Sequence, residues 1–179
     1  MIRCAFLDSP IGRLRLDAAG DALLGIVLDP EIVLDPEADE RPAVGAAAVN
    51  DPGSRTLAAA AAQLGEYFAG LRRHFDLPLA RCGTPFQQSV WRALAEIPFG
   101  HTANYGEIAR RIGRPGAARA VGLANNRNPW PIVVPCHRVI GADGSLVGYG
   151  GGIERKRWLL EFETMAIPPR TAMPPAFRP

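Results

Sequence analysis

The residues of this chain best suited to covalent chemistry are Cys136 and its two successors, His137 and Arg138. A cysteine needs a lowered pKa to act as a nucleophile, and a neighbouring base or cation is the usual means of lowering it. Residues adjacent in the chain need not face each other. A cysteine that follows three β-branched residues, here 132–134, is more often inert packing. The tripeptide alone therefore leaves a nucleophile and a structural cysteine both open.

Composition limits the classes of protein that this sequence can belong to. The chain has 179 residues, 47% of them hydrophobic and 21% charged, which suits a globular protein of one large domain or two small ones. We find no apolar run near the roughly 20 residues of a membrane span and no signal peptide. The cysteines Cys4, Cys82 and Cys136 are widely spaced, which argues against a disulfide framework and a structural zinc site. We therefore expect a cytoplasmic protein without metal or cofactor.

Charge is distributed unevenly along the chain. Residues 1–80 carry 7 Arg against 12 Asp and Glu, a balance of −5, whereas residues 81–179 carry 13 Arg and Lys against 6 acids, a balance of +7. Such asymmetry indicates that the second half meets a polyanion and that the first does not.

The first half predicts a small α/β scaffold domain over residues 1–80. Three apolar or alternating runs, 2–7, 14–17 and 23–28, are separated by turn residues, as in an antiparallel meander. Segment 28–53 is interpreted as a surface loop. Ser54 is predicted to cap a helix whose apolar positions recur at the helical period: Leu57, Ala61, Leu64, Phe68 and Leu71.

The second half opens with well-marked helix starts. Thr84 is predicted to cap a helix with Gln87 returning a bond, and Asn104 to cap a second helix with Glu107 in the same role. A third helix begins near residue 116, after a turn that contains glycine and proline. Two short helices joined this way predict a helix-turn-helix, although an αα-hairpin used only for packing remains open.

The third of these helices is unusual in composition. Arg119 is its one long side chain among small residues, which let a backbone lie close to another surface while the arginine reaches into it. In a basic half-chain, a nucleic-acid groove is the surface we expect. The small residues are Ala117, Ala118, Ala120, Gly122 and Ala124.

The last predicted helix runs from about Glu154 to Glu163, followed by a proline-rich tail at 166–179 that we expect to be disordered. Arg155, Lys156 and Arg157 lie near the start of this helix, where the helix dipole disfavours cations. An anionic ligand nearby and a solvated basic face both remain possible explanations.

Six motifs in order resemble the O6-alkylguanine-DNA alkyltransferases, the methylated-DNA–protein-cysteine methyltransferases. The resemblance is dense from about Gly83 to Glu163 and looser at 9–12. The motifs are Thr84-Pro85-Phe86-Gln87 with Val90-Trp91, Asn104-Tyr105, Ala118-Arg119-Ala120-Val121-Gly122, Asn128-Pro129, Pro135-Cys136-His137-Arg138-Val139 and Gly148-Tyr149-Gly150-Gly151-Gly152.

The resemblance implies an α/β (α+β) fold in two domains. A ribonuclease-H-like domain with an antiparallel sheet would occupy residues 1–80. A mostly helical domain with a winged-helix-like helix-turn-helix would occupy 83–165 and would carry DNA binding and alkyl transfer. Cys4 and His74 are too isolated to suggest the zinc site that some members hold in the first domain.

For DNA binding, the resemblance implies that a lesion base is flipped out of duplex DNA. Arg119 would be the finger that fills the vacated place, and Tyr105 would push on the flanking phosphate. The small face of the recognition helix would approach the minor groove: Ala117, Ala118, Ala120 and Gly122. The expected partner is duplex DNA carrying O6-alkylguanine, bound by a monomer, with cooperative loading left open.

For chemistry, the resemblance implies that Cys136 attacks the alkyl carbon and is consumed after one transfer. Activation would run through a water to His137, which Glu163 would orient. Tyr149 would donate to the departing guanine. Asn128 would tie the turn to the cysteine loop, with no chemical role. Carbonyls near Val134 and Cys136 would read the guanine amino group.

Three alternatives stand beside this interpretation. A lesion-binding protein of the alkyltransferase-like kind would lack the nucleophile, whereas Cys136 is present. A cysteine hydrolase would need an oxyanion hole and would leave Arg119 unexplained. A winged-helix regulator would explain the basic half of the chain but not the sequence around the cysteine.

Overall fold

The computed structural model describes residues 1–28 and 52–166. The chain divides into two compact units, Met1–Arg81 and Cys82–Pro179. The predicted loop at 28–53 and the predicted tail from residue 166 lie almost wholly outside the described residues. Within the described ranges, no helix combines the length and the hydropathy needed to cross a membrane.

The first unit is built on a three-stranded antiparallel sheet. Its strands β1 (Ile2–Leu7), β2 (Leu14–Ala19) and β3 (Ala22–Leu28) follow one another in the order of the chain. Alternate residues of β2, beginning with Leu14 and Leu16, are fully buried, as a strand with one covered face requires. The predicted antiparallel meander is confirmed.

One helix, α1 (Pro52–Phe68), packs on this sheet. It begins two residues before Ser54, so the prediction that Ser54 caps it is wrong. The predicted apolar period also extends too far, because Leu71 lies beyond the helix and is 82% exposed. Tyr67, rather than Phe68, takes the last fully buried position of α1.

The second unit begins with α2 (Pro85–Ala95), and its predicted capping box is confirmed. Gln87 N donates to Thr84 Oγ1 over 3.3 Å, and Thr84 N donates to Gln87 Oε1 over 2.8 Å. The same motif starts α3 (Tyr105–Arg111), where the reciprocal bonds between Asn104 and Glu107 measure 2.9 and 2.7 Å. Each box satisfies backbone donors that the first turn of a helix leaves free.

Helices α3 and α4 (Ala118–Asn126) pack against each other and against α2, forming the predicted helix-turn-helix. Trp91 anchors the group from α2, because its indole nitrogen donates to Ala124 O over 2.9 Å in the core. Two short parallel strands, β4 (Ala103–Asn104) and β5 (Val139–Ile140), pair with each other, and β4 lies next to α3.

The chain ends its described part with α5 (Ile153–Met165). This helix packs against a single 3-10 turn, Cys136–Arg138, that immediately precedes β5. The α/β fold class, with an antiparallel sheet first and a helical unit second, agrees with the prediction.

Candidate active site

Cys136 is held in the interior by a tightly constrained segment. The preceding Ile132 is fully buried and has φ of 73°, the one positive φ outside glycine among the described residues. A β-branched residue rarely adopts this conformation, which costs roughly 1–3 kcal/mol and persists only where its surroundings enforce it. The cysteine that follows, in the 3-10 turn, is itself 4% exposed.

Burial dominates the electrostatics of the Cys136 thiol and raises its pKa to about 11. Several neighbours act in the opposite direction: the Asn128 side chain, the Lys156 cation and the backbone N–H groups of Cys136 and His137. Their effect is the smaller one. With a pKa of about 11, Cys136 is a protonated thiol at neutral pH in the free protein.

His137 and Glu163 form a fully buried pair, with 2.8 Å between His137 Nε2 and Glu163 Oε1. Burial opposes ionisation of Glu163, but hydrogen bonds and charge from His137 and Arg138 together hold the pKa of the carboxyl well below its usual range. Burial lowers the pKa of His137, against the influence of Glu163. A neutral imidazole beside an acceptor-only carboxylate must donate Nε2–H, which leaves Nδ1 as a free acceptor. This Nδ1 has no hydrogen-bond partner within the described chain.

Arg138 binds the same carboxylate. Its Nε donates to Glu163 Oε2 and its Nη2 to Glu163 Oε1, both over 2.9 Å, while Nη1 donates to Ile97 O over 2.6 Å. Gly100 N adds a further bond of 2.9 Å to Glu163 Oε2. From the sequence, Arg138 is recognisable only as a cation next to the cysteine, and its pairing with Glu163 is not predicted.

Lys156 is not part of a solvated basic face, which was one of the two explanations left open for the start of this helix. Its side chain is 0% exposed, and Nζ donates to Val139 O and Val147 O, each over 2.6 Å. Burial lowers its pKa to about 8, against the attraction of Cys136. Lys156 thus ties the end of the cysteine loop to the glycine-rich segment.

Two further polar side chains approach the cysteine. Tyr149 is buried with no hydrogen-bond partner for its hydroxyl among the described residues, and burial followed by the negative charge of a Cys136 thiolate raises its pKa well above 10. Asn128 Nδ2 donates to Val134 O over 2.7 Å, which supports the cysteine loop as expected. Asn128 also lowers the pKa of the Cys136 thiol, against the larger effect of burial, so its influence is not only structural.

Two segments that together span most of the described chain match one known protein family. The 6-O-methylguanine DNA methyltransferase ribonuclease-like domain matches residues 2–81, and the 6-O-methylguanine DNA methyltransferase DNA binding domain matches residues 85–165. The chain belongs to the 6-O-methylguanine DNA methyltransferase family.

Individual relatives agree with this assignment. The chain is 50% identical over 163 residues to the methylated-DNA–protein-cysteine methyltransferase of Mycobacterium leprae, covering 91% of this chain and 93% of the relative. A crystal structure of the Mycobacterium tuberculosis O6-methylguanine methyltransferase matches with TM-score 0.78 and 49% identity, covering 95% of this chain and 97% of that one. A crystal structure of the Mycobacterium tuberculosis protein OGT in complex with DNA matches with TM-score 0.75 and 48% identity, covering 93% and 95%.

In this member of the methyltransferase family, the residues predicted to contact DNA lie on and around α4. Arg119 and Ala120 are exposed, whereas Ala117, Ala118 and Gly122 are half-buried. Leu123, one turn after Arg119, is 54% exposed. Its exposure was not predicted from the sequence.

Tyr105 lies at the start of α3, beside both the recognition helix and the glycine-rich segment. Its hydroxyl donates to Val147 O over 3.0 Å. A Cβ at Gly148 would lie 2.8 Å from the Tyr105 hydroxyl, and one at Gly122 would lie 3.6 Å from its ring. Gly148 also has φ of 63°, so this turn needs glycine for both conformation and space.

The structure links Asn128 and Tyr149 to Cys136 and pairs Glu163 with His137, which follows Cys136 in the 3-10 turn. It adds a residue that the sequence analysis missed, Asn125, whose Nδ2 lies 3.3 Å from Cys136 O and 3.4 Å from Gly148 O. Asn125 Oδ1 is buried without a hydrogen-bond partner in the described part of the chain. An asparagine inside a helix gave no sequence signal, because its acceptors belong to a distant loop. Across the described ranges, no group of three or more His, Cys, Asp or Glu side chains could hold a metal ion.

Proposed function

We propose that this protein repairs DNA by transferring the alkyl group of O6-alkylguanine irreversibly to Cys136. The observation that carries the proposal is the buried thiol beside the His137–Glu163 pair, in a chain 50% identical to a protein named for this reaction. O4-alkylthymine offers the same type of alkyl–oxygen bond and is a further candidate substrate.

In the reaction, a bond forms between Cys136 Sγ and the alkyl carbon as the bond from that carbon to O6 breaks. The thiol must lose its proton when the substrate is in place, since its pKa of about 11 keeps it protonated beforehand. Neutral His137 is the base that accepts this proton, either directly or through a water, while Glu163 holds the imidazole in the required tautomer.

The departing guanine keeps the electron pair of the broken bond. The Tyr149 hydroxyl is protonated and free of other partners within the described residues, so it can donate to the base as negative charge develops. The proton lost by the thiol is finally matched by one that guanine gains, so that the products are a thioether and neutral guanine. Because the Cys136 thiolate is a poor leaving group from the alkyl carbon of the thioether, each protein molecule reacts once.

Access to the lesion requires that the nucleotide leave the duplex. We assign the exposed Arg119 to the vacated position in the base stack and Tyr105 to the flanking phosphate. The face formed by Ala117, Ala118, Ala120 and Gly122 would lie against the minor groove. Residues 83–165 would thus bind DNA and accept the alkyl group, with 1–80 as a scaffold. We further propose that the protein acts as a monomer in the cytoplasm, where its three free cysteines stay reduced.

The test is intact-protein mass spectrometry after incubation with duplex DNA that carries one O6-methylguanine. A gain of about 14 Da, mapped to Cys136 and saturating at about one per protein, is the expected result of nucleophilic transfer. Cys136→Ser should bind the same DNA without gaining mass, and Cys82→Ser is the matched control that should react normally. Binding without any mass gain in the unaltered protein would favour a lesion-binding function instead.

A further inference from the structure

Beyond the nucleophile and its base, we propose that Arg138 is a positioning residue for alkyl transfer: it neutralises Glu163 and thereby leaves His137 unprotonated and ready to accept the thiol proton. This inference rests on the proposed function of His137. Arg138 binds Glu163, so its role is to act on His137 through that carboxylate.

The contacts of Arg138 fix its guanidinium on three sides. Nε and Nη2 engage the two oxygens of Glu163 over 2.9 Å each, in the bidentate arrangement that arginine makes with a carboxylate. Nη1 donates to Ile97 O over 2.6 Å at the end of α2. The Arg138 side chain is 5% exposed, and that of Glu163 is 0% exposed, so water screens their attraction little.

The consequence for His137 follows from charge balance. A buried carboxylate whose only ionisable neighbour is an imidazole favours the imidazolium, because the resulting ion pair compensates an otherwise isolated charge. In this site Arg138 already supplies the compensating charge. Glu163 therefore accepts the Nε2–H of a neutral His137, and its negative charge is compensated without a second proton on the imidazole.

The charged groups of the described residues that act on His137 can each be placed in this balance. Burial lowers the pKa of His137; Glu163, on α5, raises it through its hydrogen bond and charge; Arg138, in the 3-10 turn, and Lys156, on α5, lower it. Cys136, the adjacent nucleophile, is a neutral thiol before reaction. Arg138 differs from Lys156 in touching Glu163 directly, whereas Lys156 donates to the carbonyls of Val139 and Val147.

The opposing influences of Glu163 and Arg138 suit a base that must first be free and then accept a proton. Glu163 alone would favour a protonated imidazole that cannot act as a base at neutral pH. Arg138 alone would make the imidazole too weak a base. A general base works best when its pKa lies near the working pH, and the two groups adjust the basicity of His137 from opposite sides.

The experiment measures the protonation of His137 directly, by nitrogen-15 NMR titration of the full chain. The His137 signal is identified by its loss in His137→Asn. In the unaltered protein, His137 should be neutral at pH 7 with its proton on Nε2. In Arg138→Met, the pH at which His137 takes up a proton should move upward, and in Arg138→Lys, which keeps the cation, it should move much less.

A second substitution separates charge balance from loss of packing. In Arg138→Met combined with Glu163→Gln, the carboxylate charge is gone, so removing Arg138 should promote protonation of His137 much less than it does when Glu163 is present. Transfer to Cys136 should follow the same pattern. The rate for Arg138→Met at pH 7 should fall about tenfold or more and recover as pH rises, as expected when a general base has become protonated.

The outcomes decide the proposal whether or not each variant folds. An unchanged His137 titration in folded Arg138→Met, or an equal upward shift when Glu163 is also replaced, would overturn it. If circular dichroism shows that Arg138→Met is unfolded, the unaltered protein still tests the proposal. A protonated His137 at pH 7 in that protein would by itself overturn it. Failure of the proposed function looks different: unaltered protein would gain no mass from alkylated DNA, whatever His137 does in the NMR titration.

Discussion

Glu154 and Glu163, two of the three glutamates of helix α5, both bind arginine, and the structure predicts very different consequences of neutralising each one. Glu163 is 0% exposed and binds Arg138, whereas Glu154 is 84% exposed and binds Arg157 over 2.8 Å. We predict that Glu163→Gln strongly lowers the free energy of unfolding of the second unit. Glu154→Gln is the matched control on the same helix.

The magnitude follows from what each carboxylate accepts. Glu163 accepts hydrogen bonds from His137 Nε2, from Arg138 Nε and Nη2, and from Gly100 N. Glutamine keeps one acceptor oxygen and leaves the arginine cation buried without a counter-charge. Removing one partner of a buried ion pair costs about 3–5 kcal/mol, a large share of the about 5–15 kcal/mol that stabilises a typical domain. An exposed pair such as that of Glu154 contributes about 0–1 kcal/mol.

Urea unfolding at pH 7.5, followed by tryptophan fluorescence, measures both variants. The three tryptophans, Trp91, Trp130 and Trp158, all lie in the second unit, so their signal reports on the unit that contains both glutamates. If Glu163→Gln and Glu154→Gln lower the free energy of unfolding by amounts within about 1 kcal/mol of each other, the reasoning is refuted. The buried network would then stabilise the protein no more than an exposed ion pair does.

The same network sets a dependence on pH with a definite sign. The pKa of Glu163 is lower in the folded protein than its ordinary value of 4.5, so its contribution to stability is fully present above that value. It is lost as pH falls below 4.5 and the carboxyl of the unfolded chain takes up a proton first. Glu163→Gln should therefore flatten the acid limb of the stability profile, and an acid limb as steep as in the unaltered protein would contradict this.

Three other predictions concern the thiol, the finger and the glycine turn. Carbamidomethylation of Cys136 by iodoacetamide should keep accelerating above pH 9.0, toward the thiol pKa of about 11; a plateau near 9.0 would contradict a buried thiol. Arg119→Ala should slow repair of duplex DNA about tenfold or more but leave reaction with free O6-alkylguanine nearly unchanged, since only the duplex must be unstacked; equal losses would remove the finger role. Gly148→Ala should destabilise by about 1–3 kcal/mol from backbone strain and its contact with Tyr105. Gly144→Ala, strained but in open space, should cost less in the same urea assay.

The features that the sequence predicts best are those whose physics is local. The capping boxes at Thr84 and Asn104 each join residues three positions apart, so the sequence contains both partners side by side. The error in α1 has a local cause as well. Pro52 occupies the first position of α1, where proline is favoured, so the helix begins before Ser54. At the other end, Gly70 has φ of 75°, which is incompatible with a right-handed helix, so the helix cannot continue to Leu71.

The parts of the site that the sequence did not predict depend on contacts between distant segments. Arg138 and Glu163 are 25 residues apart, and Lys156 lies 17 residues from its acceptor Val139. Long charged side chains are usually exposed, so a basic run at a helix start favours a solvated or ligand-binding interpretation. Nothing in the local pattern shows that the middle residue of that run points inward.

Three buried polar side-chain atoms lack hydrogen-bond partners in the described chain: Asn125 Oδ1, His137 Nδ1 and Tyr149 OH. All belong to residues around Cys136. Folded proteins usually satisfy such atoms, and each unsatisfied one costs about 1–3 kcal/mol, so their concentration at one place points to partners supplied by water or by a bound substrate. The high pKa of the thiol fits the same arrangement. A protein that spends its nucleophile once must keep it unreactive toward stray electrophiles, and a protonated, buried cysteine reacts only after a base and a positioned alkyl group act together.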